Sequence, residues 1–315
     1  MHVALYIWDR VPVEQYGGTQ RIVVYLARGL AAAGHRVTLL AGAGSNVPEA
    51  TLVPVDLARA RAGGFDLRPS LAPGIDLLLA FAPLAPPDLP WIRSLHGNRK
   101  PGIASAPNTL YLSHDHAKRH GGTAFVYNGI DLADVQFGGR KADYDLFLGR
   151  LHRAKGYTWA IDGARRSRRR LLLAGGWRRP SFRRGIRFVG HVGGERKARL
   201  LAEARCLWMP ALWDEPFGLT LIEALASGTP VLGTWRGALP EIVSPGVGAL
   251  GDTVDELVAL RPALDEIDPG ACRAQVERHF THHLMAAEYV RMFQAYLATG
   301  TLPPGRALDQ GWPDR

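Results

Sequence analysis

The residues best suited to chemistry lie in Asp214-Glu215-Pro216-Phe217-Gly218-Leu219-Thr220-Leu221-Ile222-Glu223-Ala224. The apolar run from Leu219 predicts a helix, with Glu215 just before it and Glu223 two turns inside. That separates the two carboxylates by roughly 12 Å along the axis. Free amides and the helix dipole at Gly218–Thr220 favour an anion. Carboxylates at either end accept hydrogen bonds from hydroxyls. The set suits an extended ligand with a central diphosphate and a hydroxyl-bearing group at each end, such as a nucleotide sugar. A plain alternative makes Glu215 a helix-start residue and Glu223 a surface one. Against it, Glu223 stands between Ile222 and Ala224 on an apolar helix, where an unpartnered carboxylate is costly.

Three further segments carry weaker signals. Phe147-Leu148-Gly149-Arg150-Leu151-His152-Arg153-Ala154-Lys155-Gly156 reads as a buried strand followed by a basic loop. Arg150 and Lys155 could neutralise a diphosphate and stabilise charge growing on a leaving oxygen. Alone, they would read as solvated cations. Tyr16-Gly17-Gly18-Thr19 opens a predicted helix and can bring backbone amides close to an anion. An ordinary loop-to-helix turn is an equal reading, and the dinucleotide fingerprint is not matched. His96, in Ser94-Leu95-His96-Gly97, ends a predicted strand, with structural and site roles both open. The chain is read as having no Asp-X-Asp metal site and no carboxylate pair of glycosidase type. The expectation is therefore that neither metal nor cofactor is needed.

These residues need strand ends and helix starts to hold them. Strands are predicted at Val3–Ile7, Val37–Ala41, Ile75–Phe81, Trp91–Leu95 and Thr109–Leu112, with a helix at Thr19–Ala33. The alternation restarts near residues 134–142 and continues through Pro230–Gly233. A helix at Val254–Leu260 follows, and a last one at His282–Leu297 is predicted to bury Leu284, Ala287, Tyr289, Phe293 and Tyr296. Strand–helix–strand repeats at this spacing imply parallel crossovers, and open parallel sheets bind ligands at their strand carboxyl ends. The domains are expected at residues 1–136 and 137–281. A helix at 282–298 should cross back to the first domain, followed by a loosely ordered tail at 299–315.

With 315 residues, the chain has room for two such domains. Its net charge is +9, much of it between Arg150 and Arg199. An anionic donor, an anionic membrane surface or solvated helix faces would each account for that excess. Nucleic acid is not expected, because no recognition motif accompanies the charge. The start of the chain reads as a buried strand and not a signal peptide, no stretch is long and apolar enough to span a bilayer, and Cys206 and Cys272 lack partner spacing. A cytoplasmic setting, with peripheral contact at the inner membrane face, is the expectation.

Taken together, several segments resemble a known family. They are Gly17-Gly18-Thr19-Gln20, the run from Leu30 to Val37, Tyr127-Asn128-Gly129-Ile130-Asp131, and Leu148-Gly149-Arg150 with Lys155-Gly156. Phe188-Val189-Gly190-His191-Val192, the Glu215–Glu223 motif, Ala226-Ser227-Gly228-Thr229-Pro230-Val231 and Gly237-Ala238-Leu239-Pro240-Glu241-Ile242-Val243 complete the set. In this order they resemble the retaining glycosyltransferases of family 4, over nearly the whole chain. The resemblance implies the α/β fold called GT-B: two facing Rossmann-like, doubly wound parallel-sheet domains with a deep cleft between them.

It also implies metal-independent transfer of a hexose-type sugar from a nucleotide diphosphate sugar to an unidentified hydroxyl acceptor. Gly17 and Gly18 resemble the loop whose amides meet the diphosphate, and Arg150 and Lys155 the phosphate-binding pair. Glu215 resembles the carboxylate near the hexose, Glu223 the one on the ribose, and His96 the histidine beside the transferred sugar. Phe217, Gly218, Leu219 and Thr220 belong to the donor segment, with Leu219 and Thr220 giving amides to the distal phosphate. Val192 would meet the base, and Lys197 is a further phosphate-side cation. The chain departs from the family in a trimmed first domain, a short Trp177–Gly185 connection, and Leu79-Ala80-Phe81-Ala82-Pro83 where a histidine is common. A nucleotide-sugar-binding protein without turnover, or an epimerase or phosphorylase on the same fold, is the rival reading.

Overall fold

The computed structural model describes residues 1–13, 17–62, 65–100, 106–138, 140–176 and 185–313. Tyr16, Gly139 and most of the Trp177–Gly185 connection lie outside the described residues. The chain divides into two units, Met1–Ile130 with Thr281–Arg306, and Asp131–Phe280 with the residues from Ala307.

The first unit is built on β1 (His2–Tyr6), α1 (Gly18–Ala32), β2 (Arg36–Gly42), β3 (Thr51–Val55), α2 (Leu57–Arg61), β4 (Leu77–Ala80), β5 (Trp91–Ser94), β6 (Thr109–Leu110) and α3 (His114–Arg119). Its parallel sheet has the order β3-β2-β1-β4-β5-β6. β1 and β4 are buried at every position, as continuous apolar strands covered on both faces must be. The stretch between residues 42 and 73 holds β3 and α2, which no periodicity in the sequence announces. β3 contains Pro54, tolerable because the strand lies at the sheet edge. α2 is started by Asp56, whose carboxylate accepts from the amides of Ala58 and Arg59.

The second unit carries β7 (Asp145–Leu148), α4 (Tyr157–Arg166), β8 (Leu171–Ala174), β9 (Ile186–Gly190), α5 (Gly194–Glu203), β10 (Leu207–Met209), α6 (Leu219–Ala226), β11 (Val231–Gly233), α7 (Leu239–Ile242), β12 (Gly248–Leu250), α8 (Val254–Leu260) and α9 (Pro269–His279). Its parallel sheet runs β12-β11-β10-β7-β8-β9, the same winding as the first. In each sheet the order reverses beside the first strand, between β1 and β4 and between β7 and β10. Those two reversals are where doubly wound sheets take their ligands.

The final helix, α10 (His282–Thr299), packs on α1 within the first unit. Its buried face is His282, Met285, Ala286, Tyr289, Met292 and Phe293, while Leu284 is 41% exposed and Ala287 is also exposed. Ala286 and the His282 carbonyl lie against Gly29 of α1, and Met285 Sδ accepts from the Gly129 amide, so the buried stripe is turned from the one expected. The change of unit falls at Ile130–Asp131, because Ile130 bridges to Thr281 and accepts from the amide of His282. Two residues of the tail expected to be loose are held by side-chain hydrogen bonds. Gln310 and Trp312 bond the carbonyls of Glu241 and Val243. Among the described residues, no helix is long and apolar enough to cross a membrane.

Candidate functional site

The carboxyl ends of β7 and β10 bring the basic loop and the first glutamate together. Gly156 has φ +75°, and a β-carbon there would lie 1.7 Å from the carbonyl oxygen of Pro210. Only glycine lets the loop after β7 approach the loop after β10 so closely. The amide of Leu212 donates to Ala154 O at 2.8 Å and ties the two loops together. Lys155 Nζ therefore reaches Glu215 Oε2 at 2.5 Å. Trp213 Nε1 donates to the same oxygen at 3.0 Å, and the ammonium sits 4.5 Å from the Trp213 ring centroid. The side chains of Lys155 and Glu215 are 17% and 10% exposed, so the pair is sheltered but open to a ligand. Arg150 lies exposed just past β7. Trp213 escaped the sequence reading, although an indole two residues before an acid is a usable signal.

The next helix places the second glutamate. Gly218 caps α6 without a side-chain hydrogen bond, and Gly218, Leu219 and Thr220 are half-buried while every residue from Leu221 to Ala226 is buried. The amides at the start of α6 are thus at its accessible end. Glu223 is buried on α6, where Lys197 Nζ of α5 donates to its Oε1 at 2.6 Å. Lys197 follows Val192, which is buried in the connection between β9 and α5. The Phe217 ring is also buried and packs 6.0 Å from Phe280. The side chains of both Phe217 and Val192 are therefore taken up in packing.

Gly17, Gly18 and His96 belong to the first unit. Gly17 caps α1, and a side chain at Gly18 would meet nothing within 4 Å. Gln20 lies against Gly17 and donates from Nε2 to Asp9 Oδ2 at 2.9 Å, which holds this glycine turn to the end of β1. His96 follows β5, its ring 5.2 Å from that of Phe81, which follows β4. His96 Nε2 lies 2.9 Å from Ser94 Oγ, and Ser94 Oγ is 3.1 Å from the Tyr289 hydroxyl of α10. Burial pushes the His96 pKa down to about 3. The imidazole is therefore neutral near pH 7 and offers a hydrogen bond, not a charge. Asp9, Gln20, Ser94 and Tyr289 were given no site role from the sequence, and the Ser94–Tyr289 contact joins residues 195 apart.

One sequence statement needs correction. Asp143-Tyr144-Asp145 does have Asp-X-Asp spacing. Its second carboxylate starts β7, at the opposite end of the strand from the site. Asp145 is fully buried and accepts from Arg261 at 2.5 and 2.8 Å and from Trp208 Nε1 at 2.9 Å. Asp143 is exposed. The pair does not converge on one site.

Residues 143–263 match the model of a family described as glycosyl transferases group 1. A glycogen synthase of Mycobacterium tuberculosis is 32% identical over 176 residues, which cover 49% of this chain and 42% of that one. The solved structure of AviGT4, a glycosyltransferase involved in avilamycin A biosynthesis, superposes with a TM-score of 0.79 at 29% identity, covering 96% of this chain and 99% of that one. The second unit is thus similar to group 1 glycosyltransferases, and the whole chain resembles a solved glycosyltransferase. HepE of Anabaena, solved with UDP and glucose, has a TM-score of 0.66 at 16% identity over 93% of this chain and 99% of that one, a likeness of fold alone. The fold is GT-B, with two Rossmann-like domains. The chain spans less than half the length of the curated glycogen synthase it matches.

Proposed function

We propose that this chain transfers a hexose-type sugar from a nucleotide diphosphate sugar to a hydroxyl acceptor, with retention of configuration and without a metal. The observation that carries the reading is the Lys155–Glu215–Trp213 cluster at the strand reversal of the second unit, with Lys197–Glu223 on the neighbouring helices. The diphosphate would take the amides of Leu219 and Thr220 and the charges of Arg150, Lys155 and Lys197. Glu223 would accept from the ribose and Glu215 from the hexose. As the bond to the sugar breaks, charge grows on the bridging oxygen, and preorganised cations lower the barrier. Gly17, Gly18 and His96 take the roles the family resemblance implies, on the diphosphate and beside the transferred sugar. Donor phosphate would help remove the acceptor proton, as the retaining reading implies.

The test is release of nucleoside diphosphate from UDP-glucose, GDP-mannose and related donors, with and without excess EDTA. The proposal expects turnover of one donor that persists in chelator, and a product anomer matching that donor. Turnover restored only by magnesium or manganese, an inverted product, or binding of a donor without turnover would each contradict it. The proposed setting is cytoplasmic. Arg165, Arg166, Arg168 and Arg170 are exposed, which supports contact with an anionic membrane surface. Co-sedimentation with anionic but not neutral vesicles is the expected result, and equal recovery with both would refute it.

A further inference from the structure

The chain from Ala307 belongs to the second unit and fastens onto α7 and the turn after β11. Gln310 Nε2 donates to Glu241 O at 2.8 Å, and Gln275 Nε2 donates to Gln310 Oε1 at 2.7 Å. Trp312 Nε1 donates to Val243 O at 2.8 Å, and its ring lies 4.8 Å from that of Trp235 at 70°. These contacts complete no helix or strand of their own. They grip α7, which has no side-chain cap, and the turn leading into it.

That turn rests on the backbone of Glu215. Ala238 N donates to Glu215 O at 2.9 Å. Gly237 has φ +61°, and a β-carbon there would stand 2.3 Å from Glu215 N. Strap, turn and glutamate are thus three layers in contact. The outermost is held by one indole edge-to-face on another, a directional contact.

We propose that Trp312 is a positioning residue: it clamps the Trp235–Ala238 turn against Glu215 and so sets the carboxylate for the donor sugar. The proposal rests on the reading of Glu215 as the hexose-side carboxylate. Glu223 lies on α6 with Lys197 as its partner, and none of the strap contacts described involves either residue. Loss of the strap should weaken recognition of the sugar and spare that of the nucleotide.

The experiment compares Trp312→Ala, Trp312→Phe and Glu215→Ala with the wild type, all confirmed folded by thermal unfolding. Each is titrated with UDP, GDP, UDP-glucose and GDP-mannose, and exchange of the Ala238 amide is followed without ligand. Trp312→Ala should bind the preferred sugar conjugate about three- to tenfold more weakly, the worth of an aromatic pair. Its affinity for the free nucleotide should be unchanged, and Ala238 exchange should accelerate by a similar factor. Trp312→Phe, which keeps a ring against Trp235, should recover most of the loss. Ala238 exchange as slow in Trp312→Ala as in the wild type would overturn the proposal. So would full affinity for the conjugate in Trp312→Ala while Glu215→Ala loses it. Full affinity in Glu215→Ala would instead remove the reading of Glu215, and the strap's role with it.

Discussion

The two ends of β7 and β10 carry the same three kinds of group in different states. At the amino end, Asp145 accepts from Trp208 Nε1 and from two nitrogens of Arg261, and all three side chains are fully buried. At the carboxyl end, Glu215 accepts from Trp213 Nε1 and Lys155, and the ion pair keeps some exposure. The difference lies in the cation and in the solvent. An arginine fork engages both carboxylate oxygens in a fixed plane, while a lysine is a movable point charge. The first arrangement is closed and fastens the sheet. The second can exchange its partner for a phosphate or a hydroxyl without stranding a charge in the core.

The contrast breaks most readily at Asp145. Asp145→Ala leaves the Arg261 guanidinium buried with its main partner gone, and should cost about 3–5 kcal/mol in urea unfolding. A loss below about 1 kcal/mol would mean that the closed end is no fastening. Lys155→Ala should behave differently. Its stability should fall by less, about 1–3 kcal/mol, because the pair is sheltered but not closed and Trp213 still donates to Glu215. Its kcat should fall roughly 10²- to 10³-fold, the typical effect of losing one preorganised donor to the transition state. Arg150→Ala should lower kcat likewise. If either variant changed only KM, its cation would bind the ground state and the transition state equally and would not serve catalysis.

The smallest expected effect sharpens the contrast from the first unit, where the strand end after β5 carries a neutral group. Burial holds His96 and His116 at about 3 in the folded chain, and His116 is lowered further by His120 and Arg119. In the unfolded chain both protonate near 6.5. Between those values the unfolded state binds protons that the folded state does not. Stability should therefore be full above about pH 6.5 and decline as pH falls toward 3. His96→Asn should flatten part of that decline and slow transfer without changing nucleotide affinity. An unfolding free energy that stayed level from pH 7 to pH 4 would show that neither ring is held neutral.

What could be read from the sequence follows the distance over which each feature is built. Glu215, Gly218 and Glu223 sit in one short segment, and the helix between them is apolar throughout, so ligand geometry follows from helix rise. Lys155-Gly156 is local too, but its meaning needs Pro210, whose carbonyl leaves room only for glycine. Asp145 and Arg261 are 116 residues apart, and Arg261 precedes a proline in a stretch without periodicity. β3 was hidden by Pro54, and α9 by mixing Cys272, Gln275 and Val276 on its buried side. The strap was hidden by composition. Gly311 and Pro313 read as loose chain, while the order comes from Trp312 finding Trp235 and the carbonyl of Val243.

The central claim is that the carboxyl end of the second sheet holds a nucleotide diphosphate through the carboxylate on α6. Titration calorimetry with UDP and GDP in excess EDTA tests it on the wild type, Glu223→Ala and His96→Asn. One nucleotide should bind the wild type. Glu223→Ala should weaken that binding by about 1.5–3 kcal/mol, the worth of a charge-assisted hydrogen bond, which is roughly a tenfold to hundredfold rise in Kd. His96→Asn should bind as the wild type does. Unchanged affinity in a folded Glu223→Ala, or no binding of either nucleotide by the wild type, would contradict the account.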